Sequence, residues 1–93
     1  MIKINKKGNK AWVTFTLPAE DNLESASVSG EWNEWKSEPM KKKKNGDFYL
    51  RRLLDGGQSY EFGYSINGDE WKCDEELGCV ASPFGSENSL LEL

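Results

Sequence analysis

Hydrophobic and polar residues alternate over short stretches of the chain, which is the pattern of half-buried β-strands. In the segment 11–17, Val13, Phe15 and Leu17 share one face, while Trp12 and two threonines share the other. A side-chain period of two residues turns one such face toward a core. No window of ten or more residues shows an apolar period of 3.6 residues, so no substantial helix is expected. Similar composition or alternation predicts four more strands, at residues 25–30, 48–54, 60–66 and 89–93.

Turn residues separate these segments at regular intervals. Asn67-Gly68 is the strongest hairpin signal, because both central residues of a type I′ turn need a positive φ, and it predicts a hairpin between 60–66 and 70–73. Short strands at this spacing predict an antiparallel β-sandwich. A length of 93 residues is enough for one domain, so we expect a single all-β domain over residues 1–93.

Histidine is absent from the 93 residues, and its absence removes several classes of chemistry. It excludes nucleophiles activated by histidine, zinc sites that contain histidine, and the commonest general base at neutral pH. Two carboxylates could still form a glycosidase site, but a sandwich this small has no room for both a core and the desolvated cleft that raises a carboxyl pKa. We therefore expect a non-catalytic domain with no catalytic residue, metal or cofactor.

The charged residues argue against a nucleic-acid or membrane partner. There are 12 Lys and Arg against 16 Asp and Glu, a net charge of −4. The basic run at 41–44 leads into the Asn45-Gly46 turn, and we expect a solvated loop because no second basic cluster accompanies it. The chain has neither a secretory h-region nor an apolar stretch near the ~20 residues of a membrane span. A cytoplasmic location is the expectation.

The two cysteines, Cys73 and Cys79, are too far apart for a CxxC motif and too few for a zinc finger. A disulfide would close a short loop between them. Without a signal peptide, however, a reducing compartment is the better expectation, and we predict two free, structurally inert thiols.

More aromatic rings are present than a core of this size needs. Trp32 and Trp35 lie three residues apart in a polar stretch, and Trp71 lies among charged residues after the hairpin turn. Strand alternation cannot bury both Trp32 and Trp35 on one face. We expect Trp32 to close the edge of the sandwich, whereas burial and exposure are equally consistent with the sequence around Trp35 and Trp71.

A second group of residues near the C-terminus has the chemistry of a sugar site. Phe84, Ser86 and Asn88 alternate, so they share one side if the segment is extended. A pyranose packs its C–H groups on an aromatic face, while neutral hydroxyl and amide groups orient its hydroxyls. An amide that caps a turn or strand is the ordinary alternative for Asn88.

Several motifs occur in a fixed order along the chain: GEWNEW at 30–35, Pro39-Met40, NGDF at 45–48, YEFGYSING at 60–68, Trp71, Asp74 and FGSENS at 84–89. In this order they resemble the glycogen-binding, or isoamylase N-terminal early-set, domain of carbohydrate-binding module family 48. That domain occurs in the β subunit of AMP-activated protein kinase and in branching and debranching enzymes. The resemblance covers about residues 11–93.

The resemblance implies an immunoglobulin-like antiparallel β-sandwich of the early-set type that binds α-1,4-linked glucans such as glycogen, starch or maltooligosaccharides. It implies that Trp35 and Trp71 stack on glucose rings, with Phe84 as an apolar wedge beside the glucan. Ser86 and Asn88 would supply the hydroxyl and the amide that contact sugar hydroxyls.

One position departs from the family pattern. Gly63 occupies a place where a Lys or Arg usually donates to sugar hydroxyls, and losing that donor would weaken affinity about three- to tenfold. The departure favours a second interpretation, in which the domain is an early-set scaffold that binds a partner protein and no sugar. A partner enzyme or kinase subunit is the candidate partner under that interpretation.

Overall fold

The computed structural model describes residues 1–81 and 87–93, and β-strands dominate this part of the chain. Its only helical segment is one 3₁₀ turn at Glu31–Asn33. The strands are β1 (Ile2–Lys7), β2 (Lys10–Leu17), β3 (Ala26–Gly30), β4 (Glu38–Pro39), β5 (Lys41–Lys42), β6 (Phe48–Asp55), β7 (Ser59–Ile66), β8 (Glu70–Lys72), β9 (Val80–Ala81) and β10 (Glu87–Glu92).

The strands form two antiparallel sheets that pack face to face, which confirms the predicted β-sandwich. The first sheet has the order β1-β2-β6-β5, and the second has the order β4-β3-β7-β10-β9 with β8 also paired to β7. Because β3 covers one edge of β7 over residues 62–66, β10 and β8 must share the other edge. β10 pairs with residues 59–62 of β7 and β8 with residues 64–66. Gly63 lies where these two partners meet.

The core between the sheets comes from the predicted alternation. Val13 and Phe15 of the first sheet, and Phe62 and Tyr64 of the second, are fully buried. The rings of Phe15 and Phe62 meet edge to face, with centroids 5.1 Å apart. Trp32 stacks on Phe15 at 5.3 Å and lies partly buried against the core, as predicted for a ring that closes the sandwich.

Most strands lie where the sequence predicts them, and the differences are at sheet edges. β1 escaped prediction because four of its six residues are polar and five are exposed. It pairs along its length with β2, and Ile2 packs against the core. The basic run, predicted as a loop, contributes the short edge strand β5, which pairs with β6. The Asn67-Gly68 hairpin is confirmed, with φ values of 52° and 83° at its two residues. The described residues contain no helix long and apolar enough to cross a membrane.

The prediction of two free thiols is wrong, because Cys73 and Cys79 form a disulfide with their Cα atoms 5.6 Å apart. The intervening chain folds back around Asp74, whose carbonyl accepts a hydrogen bond from Gly78 N at 2.8 Å. The Asp74 carboxylate also accepts bonds from the backbone of Glu76 and Leu77, at 2.9 and 3.1 Å. This local folding, which spacing alone does not show, brings the cysteines together.

Candidate functional site

Two tryptophans lie side by side on the outer surface of the second sheet. Trp35 is 42% exposed and Trp71 is 41% exposed, although each belongs to a different part of the chain. Their ring centroids are 6.3 Å apart and their planes meet at 50°. The structure therefore brings together two of the residues predicted for a sugar site, as a tilted pair rather than a flat one.

Trp71 is positioned by the strand edge it crosses. On β8 it pairs with Ser65 of β7, and its indole Nε1 donates to the carbonyl of Glu87 at 2.8 Å. Between these points the ring passes over Gly63. A Cβ atom at Gly63 would overlap Cζ2 of the indole and lie only 2.8 Å from its Cη2. A glycine at this position is what allows the ring to lie against the strand.

This contact gives Gly63 a structural role. The comparison with the family pattern predicts only the loss of a hydrogen-bond donor, whereas in the structure the backbone of Gly63 supports the Trp71 ring. A longer side chain at this position would occupy the space of the indole. Glycine therefore removes a hydrogen-bond donor but allows the Trp71 ring to lie close to the sheet.

Trp35 is held by an unusual backbone. Glu34 and Trp35 have φ values of 59° and 63°, the left-handed conformation that costs a residue with a Cβ about 1–2 kcal/mol. Hydrogen bonds maintain it: Trp35 N donates to the Gly30 carbonyl at 2.9 Å, and Gly30 N donates to Asn33 Oδ1 at 3.2 Å. Strain of this kind often marks a functional position. Here the left-handed backbone lets Trp35 face the solvent, although Trp32, three residues earlier, faces the core.

Glu38 connects this turn to the rest of the sandwich. Its carboxylate accepts hydrogen bonds from Trp32 Nε1 at 3.0 Å and from Asn33 Nδ2 at 2.6 Å, and it pairs with the guanidinium of Arg52. Burial alone would raise the pKa of Glu38, but the hydrogen bonds from Trp32, Arg52 and Asn33 hold this pKa below its ordinary value. The sequence does not predict this role of Glu38, because no local pattern shows that its carboxylate accepts hydrogen bonds from Trp32, Asn33 and Arg52.

Small polar residues form the surface beneath the tryptophans. In the register of β3 and β7, Ser29 pairs with Gly63 and Ser27 pairs with Ser65. The hydroxyl of Ser29 also lies 3.4 Å from that of Ser37. Ser29 is buried at 5% exposure, whereas Ser27 and Ser65 are partly exposed, and all of these side chains are short beside the two exposed indoles.

The remaining predicted site residues have different outcomes. Asn88 precedes Ser89, which pairs with Phe62 and faces the core, so Asn88 belongs to the same outer surface as Gly63. The residue is only 4% exposed, and its side-chain amide donates to Glu61 Oε1 at 3.2 Å. Phe84 and Ser86 lie outside the described residues.

Exposed aromatic rings beside hydroxyl and amide groups are suited to non-covalent recognition of a sugar. A family model described as the glycogen recognition site of AMP-activated protein kinase matches residues 12–93 of the chain. The chain belongs to this family. A search of curated proteins found no match.

Membership in the glycogen-recognition family confirms the resemblance drawn from the ordered motifs. The matched range of 12–93 includes both exposed tryptophans, Gly63 and Glu38. The family is a non-catalytic carbohydrate-binding module that recognises glycogen. The surface described above is therefore the candidate glycogen-recognition surface of this domain.

Proposed function

We propose that this domain binds α-1,4-linked glucan chains by packing adjacent glucose rings on Trp35 and Trp71, without acting on them chemically. The observation that carries the proposal is the pair of exposed indoles, 6.3 Å apart on one surface. Family membership supplies glycogen as the class of ligand, and the indole pair supplies the mechanism of contact.

The tilt between the rings supports a curved glucan. The indole planes meet at 50°, so two sugar rings stacked on them must also turn relative to each other. Successive glucoses in an α-1,4 chain turn in this way, because the axial linkage winds the chain into a helix. A β-1,4 chain is flat and extended, and it would contact only one indole fully.

The affinity should be modest. Two aromatic rings gain roughly 0.5–1.5 kcal/mol beyond their buried area, and a saturated sugar ring on an indole should gain no more than this. An open surface also buries only part of the ligand. Association also costs several kcal/mol of lost freedom. A dissociation constant between micromolar and millimolar follows, which suits a module that gains strength from the many chain ends and segments of one glycogen particle.

The polar contacts complete the proposed site. Ser86 and Asn88 would orient sugar hydroxyls, and Phe84 would act as an apolar wedge beside the chain. For Asn88 the proposal relies on its position on the outer surface beside Gly63, with its amide already oriented by Glu61.

The test is a titration with maltoheptaose and β-cyclodextrin, followed by tryptophan fluorescence and isothermal calorimetry. Binding by the wild-type domain should weaken at least tenfold in Trp35→Ala and Trp71→Ala. A matched control is Trp12→Ala, which removes an indole from the first sheet that contacts Arg51 instead. Cellohexaose should bind more weakly than maltohexaose. No response at millimolar maltoheptaose would refute the proposal.

The partner-protein alternative has one observation in its favour. A groove of about 350 Å³ with an apolar floor of Leu17, Leu23 and Ile66 is bordered by Glu70 and Lys72. These two flank Trp71 on β8 and so face away from the tryptophans. Because Leu23 belongs to the buried core, the test uses Glu20, whose side chain lines the groove and is 59% exposed. Glu20→Lys should abolish recovery of a partner enzyme or kinase subunit while leaving glucan binding intact. Loss of glucan binding in that variant would show that the two surfaces are not independent.

A further inference from the structure

We propose that, once the disulfide between Cys73 and Cys79 is reduced, the two thiolates and the carboxylate of Glu87 bind one zinc ion. The ligand atoms of these three residues all lie within 4.8 Å of one another. We call them the cysteine–glutamate cluster. The cluster borders the proposed glucan surface, because the Glu87 carbonyl accepts from Trp71 Nε1, but metal binding does not depend on glucan binding.

The dimensions of the cluster match a zinc site. Zinc binds thiolate sulfur at about 2.3 Å and carboxylate oxygen at about 2.0–2.2 Å, so ligand atoms around a tetrahedral ion are about 3.3–3.8 Å apart. Sulfurs in a disulfide are closer than this, and opening the bond lets them separate by side-chain rotation. The Cα atoms of Cys73 and Cys79 are 5.6 Å apart, so the backbone already holds the cysteines as neighbours.

The loop between the cysteines is held by contacts that do not involve sulfur. Ser89 Oγ accepts from Asp74 N at 2.7 Å and donates to the Gly78 carbonyl at 2.8 Å. The Asp74 carboxylate accepts from the backbone of Glu76 and Leu77. Because these bonds persist when the disulfide opens, reduction leaves two thiols preorganised beside Glu87 rather than an unfolded loop.

The cluster is accessible to solvent, and its net charge is the same in the disulfide form as in the zinc-bound form. Cys79 and Glu87 are exposed and Cys73 is half-buried, so an ion can enter from solvent. A neutral disulfide beside one carboxylate carries a charge of −1. A divalent ion bound by two thiolates and one carboxylate also totals −1, so neither form disturbs the electrostatics next to Trp71.

The donor set selects the metal. Two soft thiolates favour zinc and cobalt over magnesium and calcium, which prefer oxygen ligands. Three protein ligands leave the fourth tetrahedral position for water.

Reduction and metal binding are linked steps. A thiol or phosphine reductant supplies two electrons, and two protons are taken up, as the S–S bond breaks to give two thiols. Zinc then displaces the two thiol protons as two Zn–S bonds form. Loss of two electrons to an oxidant reforms the disulfide and releases the ion. In the reducing compartment predicted for this chain, the metal-binding form would predominate.

The test is titration of the reduced domain with Co²⁺ under argon, in the presence of tris(2-carboxyethyl)phosphine. Reduced protein should show sulfur-to-cobalt charge-transfer absorption and tetrahedral ligand-field bands that saturate at one equivalent and disappear on adding Zn²⁺. The oxidised domain and the variants Cys73→Ser and Cys79→Ser should show neither. Glu87→Gln should weaken Co²⁺ binding on the order of tenfold or more, whereas Glu92→Gln, at the other end of β10, should bind like wild type.

Three results would overturn the proposal. Reduced wild-type protein that lacks the sulfur-to-cobalt band has no thiolate site. Glu87→Gln with unchanged affinity means that the carboxylate is not a ligand. Loss of the dispersed ¹H–¹⁵N signals of residues 74–78 on reduction would show that the loop is not preorganised, and a spectrum recorded on the same samples detects this directly.

Discussion

The indole ring of Trp71 lies directly over Gly63, at the point in β7 where the pairing with β10 ends and the pairing with β8 begins. A hydrogen bond from the indole to the Glu87 carbonyl, 2.8 Å long, bridges the same junction. One ring thus covers bare backbone, connects two strands and offers its outer face to solvent.

Gly63→Lys, which introduces the basic residue usual in the family, should weaken maltoheptaose binding rather than strengthen it. The new Cβ overlaps the Trp71 ring, so the indole must leave the strand, and overpacking of this kind costs roughly 1–3 kcal/mol. Calorimetry measures the affinity, and the Trp71 Nε1–H signal in a ¹H–¹⁵N spectrum reports the ring position. Ser59→Lys, which adds the same side chain at an exposed position of β7, is the control. Tighter binding by Gly63→Lys would show that the missing donor matters more than the ring.

Glu38→Gln should lower the free energy of unfolding by about 1–3 kcal/mol, because it removes the charge that accepts bonds from Trp32, Asn33 and Arg52. Since Asn33 also supports the strained turn at Trp35, affinity for maltoheptaose should fall as well. Urea denaturation measures the free energy of unfolding, and calorimetry measures the affinity for maltoheptaose. Glu34→Gln, an exposed carboxylate in the same turn, should leave stability nearly unchanged. Equal effects of the two substitutions would contradict the connecting role of Glu38.

The stability of the domain should depend on pH through Glu38. Its pKa is lowered in the folded protein, so its contribution is fully present above the unfolded pKa of about 4.3. The contribution is lost as the pH falls through the lower, folded value. The melting temperature of wild-type protein should therefore decline more steeply than that of Glu38→Gln below about pH 4.3. Parallel pH profiles for the two proteins would rule out this linkage.

Asp74→Asn should destabilise the domain by about 1.5–3 kcal/mol. The buried Asp74 carboxylate accepts from the Tyr64 hydroxyl at 2.7 Å and from the Met1 ammonium at 2.6 Å, and an amide nitrogen turned toward these two donors cannot accept. Tyr64→Phe removes only one of the bonds and should cost less. Denaturant titration of both variants measures the difference, and a larger loss in Tyr64→Phe would contradict this assignment.

Reducing the Cys73–Cys79 disulfide, without added metal, should cost about 2 kcal/mol of stability, the chain-entropy value for a short loop. The fold should remain intact because the Asp74 and Ser89 bonds do not depend on sulfur. The double variant Cys73→Ser/Cys79→Ser should show the same loss and no response to reductant. Thermal denaturation with and without phosphine makes the comparison, and a response in the double variant would point to a different cause.

Alternation predicted the core strands because burial of one face repeats every two residues. The apolar residues Val13, Phe15 and Leu17 therefore indicate from the sequence alone which face is buried. In the edge strand β1 the alternation is limited to Ile2 and Ile4, and Ile4 is 40% exposed, so the pattern is too short to predict a strand. The polar residues of β1 are held by backbone hydrogen bonds, which every residue can make. The disulfide was mispredicted for a different reason, because the expectation of free thiols rested on a reducing compartment and not on the geometry of the loop. The contacts of Asp74 with Tyr64 and Ser89, which are distant in sequence, hold that loop.

By itself, the sequence predicted the all-β fold and the family, and the resemblance made Trp35 and Trp71 candidate site residues, because periodicity, turn residues and ordered motifs are local properties of the chain. Only the tertiary structure decided that Trp35 and Trp71 form a tilted pair, that Gly63 supports one ring, and that Glu38 secures the turn before the other. Those relationships join residues on different strands. Their physical basis is contact across a sheet, which depends on the register between strands and is not encoded in any single segment.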